Sequence, residues 1–364
     1  MKKIIFIRTA NAIGGAEILS KTILENLYKK NILITYDYQY PKKIKIDHSI
    51  NISGKTLLEP GSGVKNYIYF HLLYFYNLKN YKRLARKIIT NHIDTIVIES
   101  FSDKIILTPI IRKLDENINI IWWEHGPFSR GKWIKYSPLL KYLYLKSSKK
   151  VNSIVAVSNA TKDDIINFGI NRKIVCTIYP IVRTKIKKIY YTNFKDFYVS
   201  FISRVDLSKG IYEYIQAIEK IESNNIKGII VGTGLEKNNV LQYIKDNKLQ
   251  NKIAYFGFQE NIEQFLDKSN LLVLPSSSEG LGLILIEALS RSVPILATKV
   301  GGIPEVLQNN INGLFIDKNS DDISKKILYL YKNRDLYNTM RNNCVASIHK
   351  FNEQKIVKEW KKII

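Results

Sequence analysis

Two carboxylates with seven residues between them, Glu279 and Glu287, bracket the stretch "EGLGLILIE". The run before it, "LLVLPSSS", reads as a buried strand leaving into a polar turn. The run after it, "ALSRSVPILAT", finishes a helix and starts another strand. Gly280 and Gly282 therefore fall in the strand-to-helix turn, where glycines leave backbone N–H groups bare. Those donors and the helix dipole favour an anion. Glu279 has a plain explanation, because an acid near a helix N-terminus is favourable by ~0.3–1 kcal/mol without any ligand. Glu287 does not. Leu283, Ile284, Leu285, Ile286, Ala288 and Leu289 make that helix apolar around most of its circumference, the mark of a buried helix. An unpaired carboxylate there is costly, so Glu287 must face a cleft, meet a cation or bind a ligand. A pair of sugar or ribose hydroxyls is a natural partner.

Cations stand at a second strand end. In "FISRVDLSKG", Arg204 follows a strand directly and Lys209 comes five residues later, before a helix. A planar fork of donors and a point charge together suit a diphosphate, although the same spacing in isolation fits a solvated basic loop. "IIVGTGLEKN" offers Gly232 and Gly234, but the third glycine of a dinucleotide fingerprint is Lys237, so a nicotinamide role is weak. Cys176 and Cys344 fit no metal or redox spacing, and no Asp-x-Asp metal site is evident.

These groups need elements to hold them. "KIIFIRT", "DTIVIES", "NIIWWEH" and "NSIVAVS" in the first half read as strands. "YVSFISR", "KGIIVGTG", "KIAYFGF", "LLVLPSS", "VPILATK" and "GLFID" do so in the second, with helical patterns between several of them. Such alternation indicates parallel sheets with helices on both faces. A chain of 364 residues suits two of them, with a boundary in the polar stretch Thr184 to Asp196. Ligands of open parallel sheets bind beyond the carboxyl ends of the strands, so the expected site lies in a cleft between two facing sheets.

The net charge of +24 is uneven. Residues 1–182 carry 29 Lys/Arg against 13 Asp/Glu, an excess of 16; residues 183–364 carry 27 against 19, an excess of 8. An anionic partner and simple drift toward lysine-rich composition both account for this. Two segments interleave aromatics with cations, Lys65 to Ile89 and Arg130 to Lys150. For the first, an anionic membrane surface and packing on the sheet remain equal readings; for the second the membrane is preferred. Helix-turn-helix, zinc-finger and RNA-recognition patterns are missing, which argues against nucleic acid. The apolar run after the basic start is only Ile4 to Ile7, too short for a signal peptide, and no apolar run is long enough to span a bilayer. A cytoplasmic protein, peripheral at the inner face of the membrane, is expected.

The ordered set "SRVDLSKG", "IIVGTGLEK", "YFGFQENI", "LLVLPSSSEGLGLILIEALS" and "PILATKVGGIPEVLQNNINGLFI" resembles the retaining glycosyltransferases of family 4. "GGAE" from Gly14 to Glu17 is similar to that family's N-terminal glycine loop. His125 in "WWEHGPF" sits where many members carry a histidine, and the last helix is similar to one that crosses back to the first domain. The resemblance implies an α/β protein of GT-B architecture, two Rossmann-like doubly wound domains. They would span residues 1–185 and 186–344, with 345–364 the returning helix. It implies transfer of a sugar from a nucleotide-sugar donor to a glycan or lipid-linked acceptor in bacterial surface polysaccharide or glycoconjugate assembly, with no metal or other cofactor. Arg204 and Lys209 would hold the diphosphate. Glu279 and the amides of Gly280, Leu281, Gly282 and Leu283 would position the sugar and phosphate, and Glu287 would hold the ribose. Phe258 would face the base, Gly14 and Gly15 would close on the diphosphate, and His125 would contact the sugar. Catalysis would rest on Glu279, His125, Arg204 and Lys209. Departures from the pattern are Ser203 before the arginine, Leu281 in place of an aromatic and Ile284 in place of a proline; none removes a charged group. The alternatives are a nucleotide-sugar epimerase of the same architecture and a non-catalytic binder of sugar nucleotides or polyanions.

Overall fold

The computed structural model describes residues 4–8, 23, 32–35, 78–126, 138–182 and 196–364. The chain divides into two compact units, Met1–Ile181 with Glu353–Ile364, and Val182–Asn352.

In the first unit the described strands are β1 (Ile4–Arg8), β2 (Ile32–Thr35), β3 (Thr95–Ile98), β4 (Asn119–Glu124), β5 (Ser153–Ala156) and β6 (Val175–Thr177). They form one parallel sheet in the order β2-β1-β3-β4-β5-β6. β3 is buried along its whole length, as is β4 after its first residue. Continuous apolar runs of this kind are what a sheet covered on both faces requires. Trp122 packs on one face against Tyr144, with ring centroids 4.8 Å apart, and Phe101 stacks on the same tyrosine at 5.4 Å. Trp123, the next residue, points to the other face and meets Phe6 and Trp360 at 6.2 and 5.1 Å. Trp360 belongs to the last helix, Glu353–Ile363, whose end accepts a hydrogen bond from Asn119 Nδ2 to the Ile363 carbonyl at 2.7 Å. That helix begins at Glu353, so residues 345–352 stay with the second unit, in the helix Arg334–Ser347 and the turn after it.

A charged knot lies inside the first unit. Lys104, on the helix Phe101–Leu114, donates to Glu124 Oε1 at 2.6 Å and to the Trp123 carbonyl at 2.8 Å. Tyr144 donates to the same glutamate oxygen at 2.5 Å. Burial, followed by the neighbouring Glu124 charge, holds the Tyr144 hydroxyl well above its ordinary pKa. With these donors in place, a pair that would be expensive alone becomes tolerable.

The second unit carries β7 (Phe197–Ile202), β8 (Ile226–Val231), β9 (Ile253–Tyr255), β10 (Leu271–Leu274), β11 (Ile295–Thr298) and β12 (Gly313–Ile316). They run parallel in the order β12-β11-β10-β7-β8-β9. Counted from β7, this is the doubly wound order 3-2-1-4-5-6, whose direction reverses between β7 and β10. The helix Ile211–Lys220 buries Ile211, Tyr214, Ile215 and Ile218 along one stripe, and Tyr214 donates to the Val199 carbonyl at 2.7 Å. The helix Ser320–Lys332 starts on Asn319, whose side chain accepts from the Asp322 amide at 2.8 Å, with Asp321 and Asp322 in its first turn. The ten runs read as strands all form strands. β2 and β6, which escaped that reading, lie at the two sheet edges among the described residues and are only four and three residues long.

Candidate functional site

The reversal between β7 and β10 is where an open parallel sheet offers a crevice beyond its strand ends. The segments leaving those two strands carry Arg204, Lys209 and Glu279. Lys209 lies in the short 3-10 turn Leu207–Lys209, and Gly210 follows with φ 76° to start the next helix. A Cβ at Gly210 would lie 2.2 Å from the Pro275 carbonyl oxygen, so the lysine loop can press on the β10 loop only because this residue is glycine. Ser277 ties the same loops together, its amide donating to the Ser208 carbonyl at 2.8 Å and its hydroxyl at 3.0 Å.

That contact brings Lys209 Nζ to 2.6 Å from Glu279 Oε1. Ser276, fully buried, donates its hydroxyl to the same oxygen at 2.7 Å. The Glu279 backbone is gripped from the other side by the "VGG" turn. A Cβ at Gly301, which has φ 51°, would stand 1.8 Å from the Glu279 carbonyl oxygen. Ser276 and Gly301 were not singled out from sequence. The only signal was that the glycine pair and the serine run stand beside a motif already marked.

From Glu279 the chain passes Gly280, Leu281 and Gly282, the last with φ 81°, into the helix Leu283–Ser290. The first N–H groups of that helix have no intrahelical partner. The Leu281 side chain is buried, so its contribution to a ligand would be its amide. Glu287 sits one turn further on, half-buried but densely surrounded by protein atoms. Burial, and secondarily the Glu263 charge, push its carboxyl up to about 7. Arg291, four residues on, pairs with Glu263 and Asp267 instead. Among the described residues Glu287 has no ion pair.

Arg204 is largely exposed and pairs with Asp206 Oδ2 at 3.1 Å. The other Asp206 oxygen accepts the Leu235 amide at 3.0 Å, coupling the loops after β7 and β8. Gly232 and Gly234 serve that coupling: a Cβ at either would fall within 2.4 Å of a carbonyl oxygen of Ser203 or Val205. Phe258, beyond β9, is exposed at 60%, an aromatic surface held out at the strand end.

In the first unit His125 follows β4. Its Nε2 lies 3.0 Å from Glu99 Oε2 just after β3, its Nδ1 is buried with no hydrogen-bond partner among the described residues, and its ring packs 4.4 Å from Trp123. Glu99 was not foreseen. Gly14 and Gly15 lie outside the described residues.

Two family descriptions match the chain in tandem: Glycosyltransferase Family 4 over residues 33–185 and Glycosyl transferases group 1 over residues 182–345. The N-acetyl-alpha-D-glucosaminyl L-malate synthase of Bacillus anthracis is 27% identical over 262 residues, covering 69% of this chain and 68% of that protein. The capsular polysaccharide biosynthesis glycosyltransferase CapM of Staphylococcus aureus is 26% identical over 222 residues, 58% of either chain. The crystal structure of Anabaena HepE in complex with UDP and glucose superposes with a TM-score of 0.81 at 18% identity, covering 100% of this chain and 99% of that one. With two parallel-sheet α/β units in the GT-B architecture, the chain belongs to glycosyltransferase family 4.

Proposed function

We propose that this glycosyltransferase moves a hexose or N-acetylhexosamine from a UDP-sugar to a glycan or lipid-linked acceptor in the assembly of bacterial surface polysaccharide, with retention at the anomeric carbon. The carrying observation is the Lys209–Glu279 pair at the β7/β10 reversal, ahead of a helix N-terminus. The donor class follows the UDP and glucose held by HepE and the N-acetylglucosaminyl transfer in the name of the Bacillus relative. The polysaccharide setting follows CapM.

In this reading Arg204 and Lys209 neutralise the diphosphate as it departs, and the amides of Gly280 to Leu283 take its oxygens. Fixed donors aimed at developing charge are the usual largest source of rate. An ammonium has three protons to donate, and Glu279 occupies one of Lys209's. Glu279 receives hydroxyls of the transferred sugar, Glu287 the ribose hydroxyls, and Phe258 lies against the base. His125, held by Glu99, is the first unit's candidate for the sugar. The bond from the anomeric carbon to the diphosphate breaks as the acceptor oxygen bonds the same face, and the acceptor proton leaves with the diphosphate. No enzyme nucleophile is used, and the two cations do the work a divalent metal would otherwise do.

A membrane acceptor is supported by the helix Pro138–Ser148. Leu139 and Tyr142 are exposed there at 46% and 56% beside exposed Lys141 and Lys146, with Lys149 and Lys150 just beyond. Such a face suits the boundary of an anionic bilayer. The earlier aromatic segment differs where it is described: over residues 78–90 Tyr81, Leu84, Ala85 and Ile88 pack into the core while Lys79, Lys82, Arg83 and Arg86 are solvated. Among the described residues no helix is long and apolar enough to cross a membrane.

The test is thermal stability against UDP-, GDP-, ADP- and dTDP-sugars, followed by product analysis by NMR. A ligand at 100 times its dissociation constant adds ~2.7 kcal/mol to the native state. A shift confined to UDP-sugars, with UDP released and an α-linked product from an α-linked donor, is the expected result. An epimerised sugar, or stabilisation by all polyanions alike, would sink the reading.

A further inference from the structure

We infer that Ser276 is a positioning residue for sugar transfer, holding Glu279 so that one carboxylate oxygen is occupied and the other is presented to the donor sugar. The inference rests on the transferase reading and assigns a part of its site.

The geometry is specific. Ser276 is the first residue of the serine run "SSS" after Pro275, and the three serines are not equivalent. Ser277 is exposed and bonds across to Ser208. Ser276 is fully buried, and its hydroxyl donates to Glu279 Oε1 at 2.7 Å while its own carbonyl accepts Thr298 Oγ1 at 2.6 Å. Thr298 ends β11, so the backbone that carries the serine is fixed from the neighbouring strand. Lys209 Nζ reaches the same Oε1 at 2.6 Å. Two donors thus converge on one oxygen, while Oε2 accepts no hydrogen bond from the described residues. Gly301 against the Glu279 carbonyl fixes the backbone, and Ser276 with Lys209 fixes the side chain.

The division of labour matters because Lys209 has a second client. As the diphosphate departs, the ammonium is drawn toward its charge, and its hold on Glu279 slackens. The serine hydroxyl is neutral and buried on a backbone tied to β11, so it keeps the carboxylate in place through that change. Remote groups that hold a reacting constellation to within about an ångström are worth large factors in rate.

The experiment is a double-mutant cycle of Ser276→Ala and Glu279→Ala, read by UDP release from UDP-glucose and UDP-N-acetylglucosamine with water as acceptor. UDP affinity from thermal shift serves as the second readout. Ser276→Ala is expected to lower kcat about tenfold, the worth of one hydrogen bond to a charged group, with KM and UDP affinity within about twofold. In the Glu279→Ala background the same change should cost nothing further, because the group it positions is gone. A merely structural role would give equal losses in both backgrounds and weaker UDP binding, and that result would overturn the assignment. So would an unchanged kcat in the single variant. A wild-type protein that binds neither UDP nor either sugar nucleotide would overturn the transferase reading itself, and this assignment with it.

Discussion

Lys104–Glu124 in the first unit and Lys209–Glu279 in the second are the same ion pair by chemistry and by length, 2.6 Å in each case. Their surroundings differ. Lys104 is 1% exposed and spends its protons on Glu124 and the Trp123 carbonyl, and Tyr144 closes the glutamate from the other side. Lys209 is 15% exposed, has Glu279 as its partner, and stands at a strand end where the sheet reverses. A charge pair sealed in the core is a structural element; one with donors within reach of solvent beyond a strand end is available for chemistry. Separation alone does not distinguish them.

The comparison predicts opposite consequences for equivalent substitutions. The largest effect is expected at the buried pair: Lys104→Met leaves Glu124 charged and uncompensated in the core, costing about 3–5 kcal/mol of stability. Chemical denaturation measures this directly. A loss below 1 kcal/mol would mean that Glu124 finds another way to be satisfied.

Next come the strand-end residues. Lys209→Ala and Glu279→Ala should each lower turnover of a UDP-sugar by about 10²–10³, with a melting temperature close to that of the parent. Equal losses of stability and activity at Lys209 would erase the distinction drawn between the two pairs.

Glu287 offers a third, pH-dependent measurement. Its folded-state carboxyl titrates at about 7 against an ordinary 4.5. The native protein therefore holds a proton that the unfolded chain has already released, and stability falls as pH rises from about 4.5 to about 7. The full cost, roughly 3 kcal/mol, is in place only above that window. Glu287→Gln does not titrate, so its stability advantage over the parent should grow across the window and then level off. Under the proposed ribose contact, the same variant should also bind UDP more weakly at every pH. An advantage independent of pH would contradict the burial argument.

The smallest effect per residue, ~1 kcal/mol, is expected on and just beyond the helix Pro138–Ser148. Replacing Lys141, Lys146 and Lys149 by glutamate should weaken binding to vesicles containing anionic lipid, at ~1 kcal/mol per lysine removed, without altering turnover of a soluble acceptor. Unchanged sedimentation with vesicles would remove the membrane from the proposal.

Most of the strand pattern of the second unit is written in local sequence. Its strands are short β-branched runs flanked by glycine and polar turns, and the chemistry-bearing residues stand directly after them. The placement of Arg204, Lys209 and Glu279 after strands was therefore legible as position plus residue type. Glu287 was legible for a further reason: burying an unpaired carboxylate is costly wherever it happens, so the requirement for a partner is local. The tertiary structure decided which groups meet. Nothing in "FSDKIIL" or "WWEHG" marks Lys104 and Glu124 as a sealed pair, or Glu99 as the partner of His125, because each contact joins separate elements through the order of a parallel sheet. Ser276 and Gly301 were hidden for the same reason. Their roles lie in distances to Glu279 of 2.7 Å and, for a Cβ the glycine lacks, 1.8 Å. A residue's type sets what it can do, and local sequence often shows where a strand ends. Only packing between loops that are distant in the chain fixes which carboxylate oxygen is held by donors and which is not.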